Sequence, residues 1–92
     1  MNLIYTKNFD KKVDKLKDKL AKRRLKLLIE HLEMAKSLSE ISNVLPVENA
    51  DRLFRITIGD YRLFVKQIKN GEIIILMIDY RRRNEKTYKG LN

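Results

Sequence analysis

Apolar residues recur at helical spacing through the first third of the chain. A short apolar segment at residues 3–5 predicts a first strand, and Asn8 is expected to cap the helix that follows it. The periodicity breaks near residues 18–22 without a glycine or proline, which fits two helices with a tight connection or one kinked helix. The first periodic set is Phe9, Val13, Leu16 and Leu20, and the second is Leu25, Leu28, Ile29, Leu32 and Ala35.

Both apolar stripes are narrow, and neither continues as heptads, so we expect the helices to pack on a sheet. Residues 37–51 contain the only proline, Pro46, and are typical of a connecting segment. Within this segment Ile41, Val44 and Val47 are expected to contact the core.

Alternating apolar and polar residues on either side of residues 59–60 predict a β-hairpin. Side chains at i and i+2 share one face of a strand, and a two-residue turn at Gly59 and Asp60 pairs Ile58 with Tyr61. One face of this hairpin is then wholly apolar, with Phe54, Ile56, Ile58, Tyr61, Leu63 and Val65. The opposite face carries Arg55, Thr57, Arg62, Phe64 and Lys66. A slip of one residue would exchange the two faces, so the prediction depends on the length of the turn.

The dipeptide Asn-Gly at residues 70–71 predicts a second hairpin with a type I′ turn, because both turn positions need a positive φ. This turn pairs Lys69 with Glu72, and the same register places Arg62 opposite Asp79. Phe64 is placed opposite Met77 in the same way.

Residues 73–78 are apolar on both faces, which is typical of a central strand. The chain is therefore predicted to be one α+β domain spanning residues 1–92. An N-terminal strand and two helices precede a three-stranded antiparallel meander that packs on the helices, and a short tail or helix ends the chain. A concave site is predicted on the other side of the sheet, lined by Arg55, Thr57, Arg62, Lys66, Asp79 and Arg81.

The chain has 92 residues, of which 43% are hydrophobic and 36% charged, a balance typical of one folded domain. Cysteine is absent, which excludes disulfides and a thiol nucleophile and suits a reducing cytoplasm. No signal peptide is indicated, and the longest apolar run is too short to span a bilayer, so no membrane partner is expected. The net charge of +9 indicates a polyanionic partner, either nucleic acid or an acidic protein.

The pattern of candidate catalytic residues fits metal-free RNA cleavage. No P-loop, glycine-rich dinucleotide loop or Ser-His-Asp set is present, and His31 has no ligands at metal-binding spacing, so no metal or cofactor is predicted. In RNA cleavage the 2′-hydroxyl attacks the adjacent phosphate, and arginines stabilise the charge that develops there. Arg81, Arg82 and Arg83 offer planar, bidentate donors to phosphate. Tyr88 is then either a base, because nearby positive charge favours its phenolate, or a platform on which an RNA base stacks.

Residues 53–63 (LFRITIGDYRL) and the late basic segment that ends in Tyr88 resemble the RelE/ParE superfamily, the toxins of bacterial and archaeal type II toxin–antitoxin systems. Residues 37–44 are similar as well, and the resemblance covers nearly the whole chain. It implies a member of the RelE-like branch, an endoribonuclease that cleaves mRNA on the translating ribosome and is silenced by a cognate antitoxin. Gyrase inhibition, the activity of the ParE branch, is the alternative within the same fold.

The resemblance also implies roles for individual residues. Arg62, Arg81 and Tyr88 are assigned to catalysis, and Arg55 and Arg83 to RNA binding. Lys66 and Arg82 are further candidates for RNA binding, from the predicted register and from the basic run. Four positions depart from the family pattern. Thr57 stands where a second basic residue is common, Tyr80 stands where many relatives have histidine or lysine, and Asp79 adds a carboxylate. Tyr88 lies one residue later than the pattern. These departures weaken the expectation of efficient catalysis more than that of RNA binding.

Two hypotheses without catalysis stay open beside the nuclease. In one, the basic face binds RNA or the ribosome and cleaves nothing. In the other, the basic surface serves only to bind an acidic antitoxin.

Overall fold

The computed structural model describes residues 1–69 and 71–80, the last of them by its backbone alone. Over these residues the chain forms two helices, α1 (Lys7–Lys15) and α2 (Lys19–Met34), and five strands. The strands are β1 (Asn2–Tyr5), β2 (Val44–Pro46), β3 (Leu53–Ile58), β4 (Tyr61–Lys69) and β5 (Glu72–Tyr80). A 3-10 turn at Leu38–Glu40 lies between α2 and β2. Neither of the two helices is both long and apolar enough to cross a lipid bilayer.

The strands in the described part of the chain form one mixed sheet in the order β1-β5-β4-β3-β2. β1 runs parallel to β5, and the other neighbours are antiparallel. The predicted α+β fold is confirmed, and so is the central place of β5. β2 is a correction, because residues 37–51 are predicted as a plain connection and Val44–Pro46 instead pairs with β3. Pro46 is tolerated there because an edge strand has no partner on its outer side.

Each helix begins at a side-chain cap of its own. α1 begins after Thr6, whose Oγ1 accepts a hydrogen bond from the backbone N–H of Phe9 at 3.1 Å. The prediction that Asn8 caps this helix is therefore wrong, since Asn8 lies inside its first turn. α2 begins after Asp18, whose Oδ1 accepts from the N–H of Ala21 at 3.1 Å. A single kinked helix is excluded, because each helix has its own start.

Thr6 also connects α1 to the centre of the sheet. Its hydroxyl lies 2.7 Å from the carbonyl oxygen of Leu76 and 3.0 Å from that of Ile75. Its backbone N–H donates to the Ile75 carbonyl at 3.2 Å. One residue thus ends the pairing of β1 with β5, begins α1 and supplies donors to the carbonyls of the central strand.

The α-amino group of Met1 fixes the other end of α2. It donates to the carbonyl oxygens of Leu32, Glu33 and Ala35 at 3.1, 2.7 and 2.6 Å. A positive charge is favourable at this place because the last carbonyls of a helix carry a partial negative charge. The contact holds the start of β1 against the end of α2.

The β4–β5 hairpin contains one bulge in each strand. The predicted pairs at its two ends are confirmed: Lys69 with Glu72, Phe64 with Met77, and Arg62 with Asp79. Between them the register shifts by one, because Ile68 in β4 and Leu76 in β5 are extra residues without an opposite partner. The two shifts cancel, which is why the ends of the hairpin match a simple count from the turn.

The bulges decide which side of β5 faces the helices. Ile73 and Ile75 belong to the cluster on the helix side. An unshifted register would have placed Ile74 and Leu76 there instead. Alternation could not reveal this, because every residue in this part of the strand is apolar.

An apolar cluster lies on each face of the sheet. The helix-side cluster joins the two helices to the sheet and includes Phe9, Leu16, Leu25, Leu32, Ile56, Leu63, Val65 and Ile78. A smaller cluster on the opposite face combines Val47, Leu53, Phe64 and Met77. Phe64 is 0% exposed in it, because the loop between β2 and β3 lies over the sheet at this point. The contacts predicted for Ile41, Val44 and Val47 are confirmed.

Replacing Thr6 with valine is expected to lower the free energy of unfolding by about 1–3 kcal/mol. Valine keeps the shape of threonine but removes both the helix cap and the donor to β5. Urea unfolding of the purified protein measures the change. Thr6→Ser keeps the hydroxyl and should retain most of the stability, and Asn8→Ala should have little effect. Equal losses for Thr6→Val and Asn8→Ala would contradict the assignment of the cap.

Replacing Phe64 with alanine is expected to cost about 3–5 kcal/mol of stability, the range for large aromatic residues in a sealed core. Ile68→Ala is the matched control, because Ile68 lies on the same strand with its side chain exposed. The control should change stability by no more than about 0.5 kcal/mol. Similar midpoints for the two variants in a urea titration would show that the β2–β3 loop does not seal this face.

Candidate nucleic-acid interface

Two neighbouring rows of side chains form the sheet face opposite the helices. In the row nearest the β3–β4 turn, Thr57 pairs with Arg62, and Arg62 pairs with Asp79. In the next row Arg55 pairs with Phe64. We call the polar part of this surface, Arg55, Thr57, Arg62 and Asp79, the arginine face. The structure brings these four residues together as the alternation predicts.

Arg55 and Arg62 are held by their surroundings rather than extended into solvent. Each is half-buried, and the Nε atom of each is buried. They are diagonal neighbours across β3 and β4, a relation that places backbones about 7–8 Å apart and lets long side chains meet. Two guanidinium groups so placed can approach one phosphodiester or two successive phosphates, and their partial burial strengthens such contacts.

Asp79 sets a carboxylate beside Arg62 within the arginine face. It reduces the positive charge of the row and provides a hydrogen-bond acceptor there. Acceptors of this kind suit amino or hydroxyl groups of a ligand rather than its phosphates. The face therefore has a mixed character that the number of arginines alone does not convey.

Lys66 shares the strand and face of Arg62 but lies apart from it. Phe64, with the cluster that covers it, stands between the two, and Lys66 is exposed. Its role in RNA binding stays a prediction for the margin of the site. Four further candidates lie outside the described residues, and their roles also stay predictions: Arg81, Arg82, Arg83 and Tyr88.

Tyr5 is a phenol near the opposite edge of the sheet, where its ring packs against Phe9 at 5.6 Å between centroids. Burial, with a smaller effect from the Glu33 carboxylate, raises the pKa of Tyr5 above its usual value. Tyr5 therefore stays protonated near neutral pH and is a poor candidate for a base.

The β3–β4 turn, which directly precedes Tyr61 and Arg62, lies next to the side chain of Arg24 on α2. Gly59 has φ +59°, a positive value at the first central position as in type II′ turns. A side chain at Gly59 would collide with the guanidinium of Arg24, which lies over the turn. Gly71, in the β4–β5 turn, has a positive φ as well, but the space around it is open.

A second surface, the helix groove, lies between α2 and β3 and encloses about 750 Å³. Leu27 and Met34 line it and are 50% and 85% exposed. Leu20, also 50% exposed, precedes Leu27 by seven residues, as Leu27 precedes Met34, so all three lie along one side of α2. The first predicted stripe is wrong at Leu20, which lies in α2 and is half exposed instead of packing on the sheet. Neither predicted stripe includes Leu27 or Met34. The seven-residue spacing is the signal that could have found them.

Within residues 1–69 and 71–80 no group of three histidine, aspartate or glutamate side chains could hold a metal ion.

Comparison with known proteins agrees with this architecture. A family model described as the ParE toxin of the type II toxin–antitoxin system parDE matches residues 3–85. The chain belongs to this toxin family. It is thus a toxin of a type II toxin–antitoxin system, within the RelE/ParE superfamily.

Three solved structures are similar to this toxin. A chain of the RelB–RelE complex from Methanococcus jannaschii aligns with a TM-score of 0.78 and 20% identity over 91% of this chain and 96% of its own. A chain of the archaeal RelE–RelB complex from Pyrococcus horikoshii aligns with a TM-score of 0.69 and 27% identity, over 89% of this chain and 96% of its own. A chain of the RelBE2 toxin–antitoxin complex from Mycobacterium tuberculosis aligns with a TM-score of 0.61 and 21% identity, over 87% of this chain and 96% of its own. No curated protein sequence is significantly similar to the chain.

Gly59→Ala and Gly71→Ala are expected to destabilise the toxin by similar amounts. Both substitutions force alanine into a left-handed conformation, at a cost of about 1–2 kcal/mol. The new methyl group at Gly59 meets only the end of the exposed Arg24 side chain, which can turn away at little cost. Removing that contact in an Arg24→Ala background should therefore change the cost of Gly59→Ala by less than about 0.5 kcal/mol. Thermal or urea unfolding measures the variants, and a much larger loss for Gly59→Ala than for Gly71→Ala would contradict the expectation.

Proposed function

We propose that this toxin is an endoribonuclease that cleaves mRNA on the translating ribosome without a bound metal ion. The observation that carries the proposal is the arginine face, where Arg55 and Arg62 stand as diagonal neighbours on the side of the sheet that the helices leave open. Two partly buried cations at this separation suit an RNA backbone. The likeness in fold to chains of RelB–RelE complexes supports the RelE-like branch.

The nucleophile in this reaction is the 2′-hydroxyl of the RNA itself. Its oxygen forms a bond to the adjacent phosphorus while the bond from phosphorus to the 5′-oxygen breaks. A base takes the proton of the 2′-hydroxyl, and the leaving 5′-oxygen gains a proton. The products are a 2′,3′-cyclic phosphate and a 5′-hydroxyl. Because negative charge builds up on the phosphoryl oxygens, fixed arginine donors lower the barrier.

Each predicted residue has a place in this reaction. Arg62 donates to the phosphoryl oxygens of the cleaved bond, and Arg81 does so from the late basic segment. Arg55 binds a neighbouring phosphate. Tyr88 accepts the proton or stacks on an RNA base. Lys66, Arg82 and Arg83 contribute contacts to the rest of the RNA backbone.

A cognate antitoxin is the expected protein partner. The three similar structures described above are complexes of RelE with RelB, and a type II toxin is paired with an antitoxin. We infer that an antitoxin binds this toxin and silences it in the cytoplasm. The net charge of +9 favours an acidic partner through long-range attraction.

Gyrase inhibition is the second candidate function. It is favoured by one observation, the match of residues 3–85 to the ParE toxin model. A module that binds RNA or the ribosome without cleavage would use the same arginine face, and Asp79 beside Arg62 is the feature that favours it.

Arg62→Gln is expected to lower the rate of mRNA cleavage on purified translating ribosomes by about 10²–10³-fold, the usual cost of losing one donor to a developing anion. Arg62→Lys keeps the charge but not the planar fork of donors, so an intermediate rate is expected. Mapping the ends of the cleaved mRNA by primer extension measures the rates. Arg23→Gln is the control, because Arg23 is exposed on α2 away from the arginine face.

The partial burial of Arg62 makes a folding control necessary, and urea unfolding of each variant supplies it. Cleavage by Arg62→Gln at the wild-type rate would remove Arg62 from the mechanism. A wild-type toxin that leaves mRNA intact but inhibits DNA supercoiling by gyrase would overturn the nuclease in favour of the ParE activity. Ribosome binding without cleavage would favour the non-catalytic module.

A further inference from the structure

A groove enters the molecule at the end of the sheet where the arginine face stops. We call it the corner groove; it lies between the α1–α2 connection and the ends of β4 and β5 and has a volume of about 460 Å³. Among the residues that the structure describes, the charged and polar ones that line it are Lys12, Lys15, Lys17, Tyr61, Asp18 and Asp79. The volume is in the range of sites that hold a small ligand.

The lysines of the corner groove come from the end of α1. Lys12 and Lys15 are one turn apart and therefore share a side of the helix. Lys17 follows in the connection to α2. The carboxylate of Asp18 accepts from the N–H of Ala21 at 3.1 Å and caps α2, so part of its negative charge is offset by the start of that helix. The positive end of α2 begins at the same place.

The corner groove meets the arginine face at Asp79, which lines the groove and pairs with Arg62 across the strands. Tyr61 immediately precedes Arg62 in β4, so its side chain lies on the opposite face of the sheet, toward the helices. A single strand that passes Asp79 after Arg62 would therefore reach the lysines at the end of α1. Tyr61 packs partly against the core, so its ring is held in place at the entrance.

We propose that the corner groove binds single-stranded RNA, taking the nucleotide next to the phosphate that Arg62 contacts. This inference rests on the proposed nuclease function and extends its substrate site. Lys12, Lys15 and Lys17 hold the phosphates on either side of that nucleotide, and its base lies against Tyr61. Basic grooves with aromatic side chains are the usual sites for single strands.

The chemistry of the groove favours RNA over an acidic segment of a protein. Asp79 accepts hydrogen bonds, and a nucleotide offers donors to it from its base amino groups and its 2′-hydroxyl. An ionised glutamate or aspartate side chain offers no donor to this carboxylate. The lysines act as mobile point charges, which suits the changing course of a flexible phosphate chain.

The test compares two triple variants of the full-length toxin that lower the net charge equally. One replaces Lys12, Lys15 and Lys17 with glutamine. The matched control replaces Lys22, Lys26 and Lys36, exposed lysines that do not line the corner groove. The probe is a short, fluorescently labelled single-stranded RNA with 2′-O-methyl riboses, which cannot be cleaved. Fluorescence anisotropy at several salt concentrations gives the affinity and its salt dependence.

The corner variant is expected to bind the RNA more weakly, and its salt slope should be smaller than that of the wild type by about 2. Between 50 and 200 mM salt the wild type should therefore lose about 16-fold more affinity than the corner variant does. The control variant should keep the wild-type slope. Replacing the same three lysines with arginine should keep the slope too, which shows that charge rather than shape is measured.

Three outcomes would overturn the proposal. Equal salt slopes for the corner and control variants would remove the groove from RNA binding. So would a wild-type toxin that does not bind the RNA. The third is a corner variant that binds RNA normally but no longer binds a poly-glutamate peptide, which would assign the groove to an acidic protein.

The corner groove and the nuclease can fail separately. Wild-type cleavage of mRNA on ribosomes with equal slopes for the two triple variants would refute the groove and leave the nuclease intact. Loss of slope in the corner variant without mRNA cleavage by the wild type would support the groove and refute the nuclease.

Discussion

The fold depends on burying β5 on both faces. This strand is paired on both edges, with β1 and with β4, and its apolar residues point to both sides of the sheet. The helices cover one side, and the loop between β2 and β3 covers part of the other. On the face opposite the helices, the polar side chains Arg55, Thr57, Arg62 and Asp79 lie beside the apolar cluster, toward the β3–β4 turn. The position of the arginine face thus follows from where the core needs apolar residues.

The register of two strands can be predicted from the sequence where one face of a strand is polar, but not where both faces are apolar. The pairing of β3 with β4 followed from alternation and a two-residue turn, and the structure has the same register. In β5 the same reasoning found the ends but not the bulges, because an isoleucine can face either side at no cost. The start of α1 was missed for another reason. Thr6 and Asn8 both have capping side chains, and the choice is made by the contact of Thr6 with Leu76 in β5.

The candidate site shows the same division. Arg55 and Arg62 were placed on one face by counting, and that face exists. Their partial burial leaves no periodic signal in the sequence. The lysines at the end of α1 have no distinguishing pattern in the sequence, since only the tertiary fold places them beside Tyr61 and Asp79.

Because of the two bulges, the number of residues between two positions in the β4–β5 hairpin exceeds the number of paired positions between them. Between Arg62 and Lys69, β4 contains one extra residue that is not opposite a residue of β5. Between Glu72 and Asp79, β5 contains one extra residue that is not opposite a residue of β4. A relative that lacked both extra residues would present the same arginine face with a shorter hairpin. A motif defined by fixed spacing across this hairpin would then fail to align two identical surfaces. Equivalent residues in such toxins are therefore better matched by their positions in the strand pairing than by their spacing along the sequence.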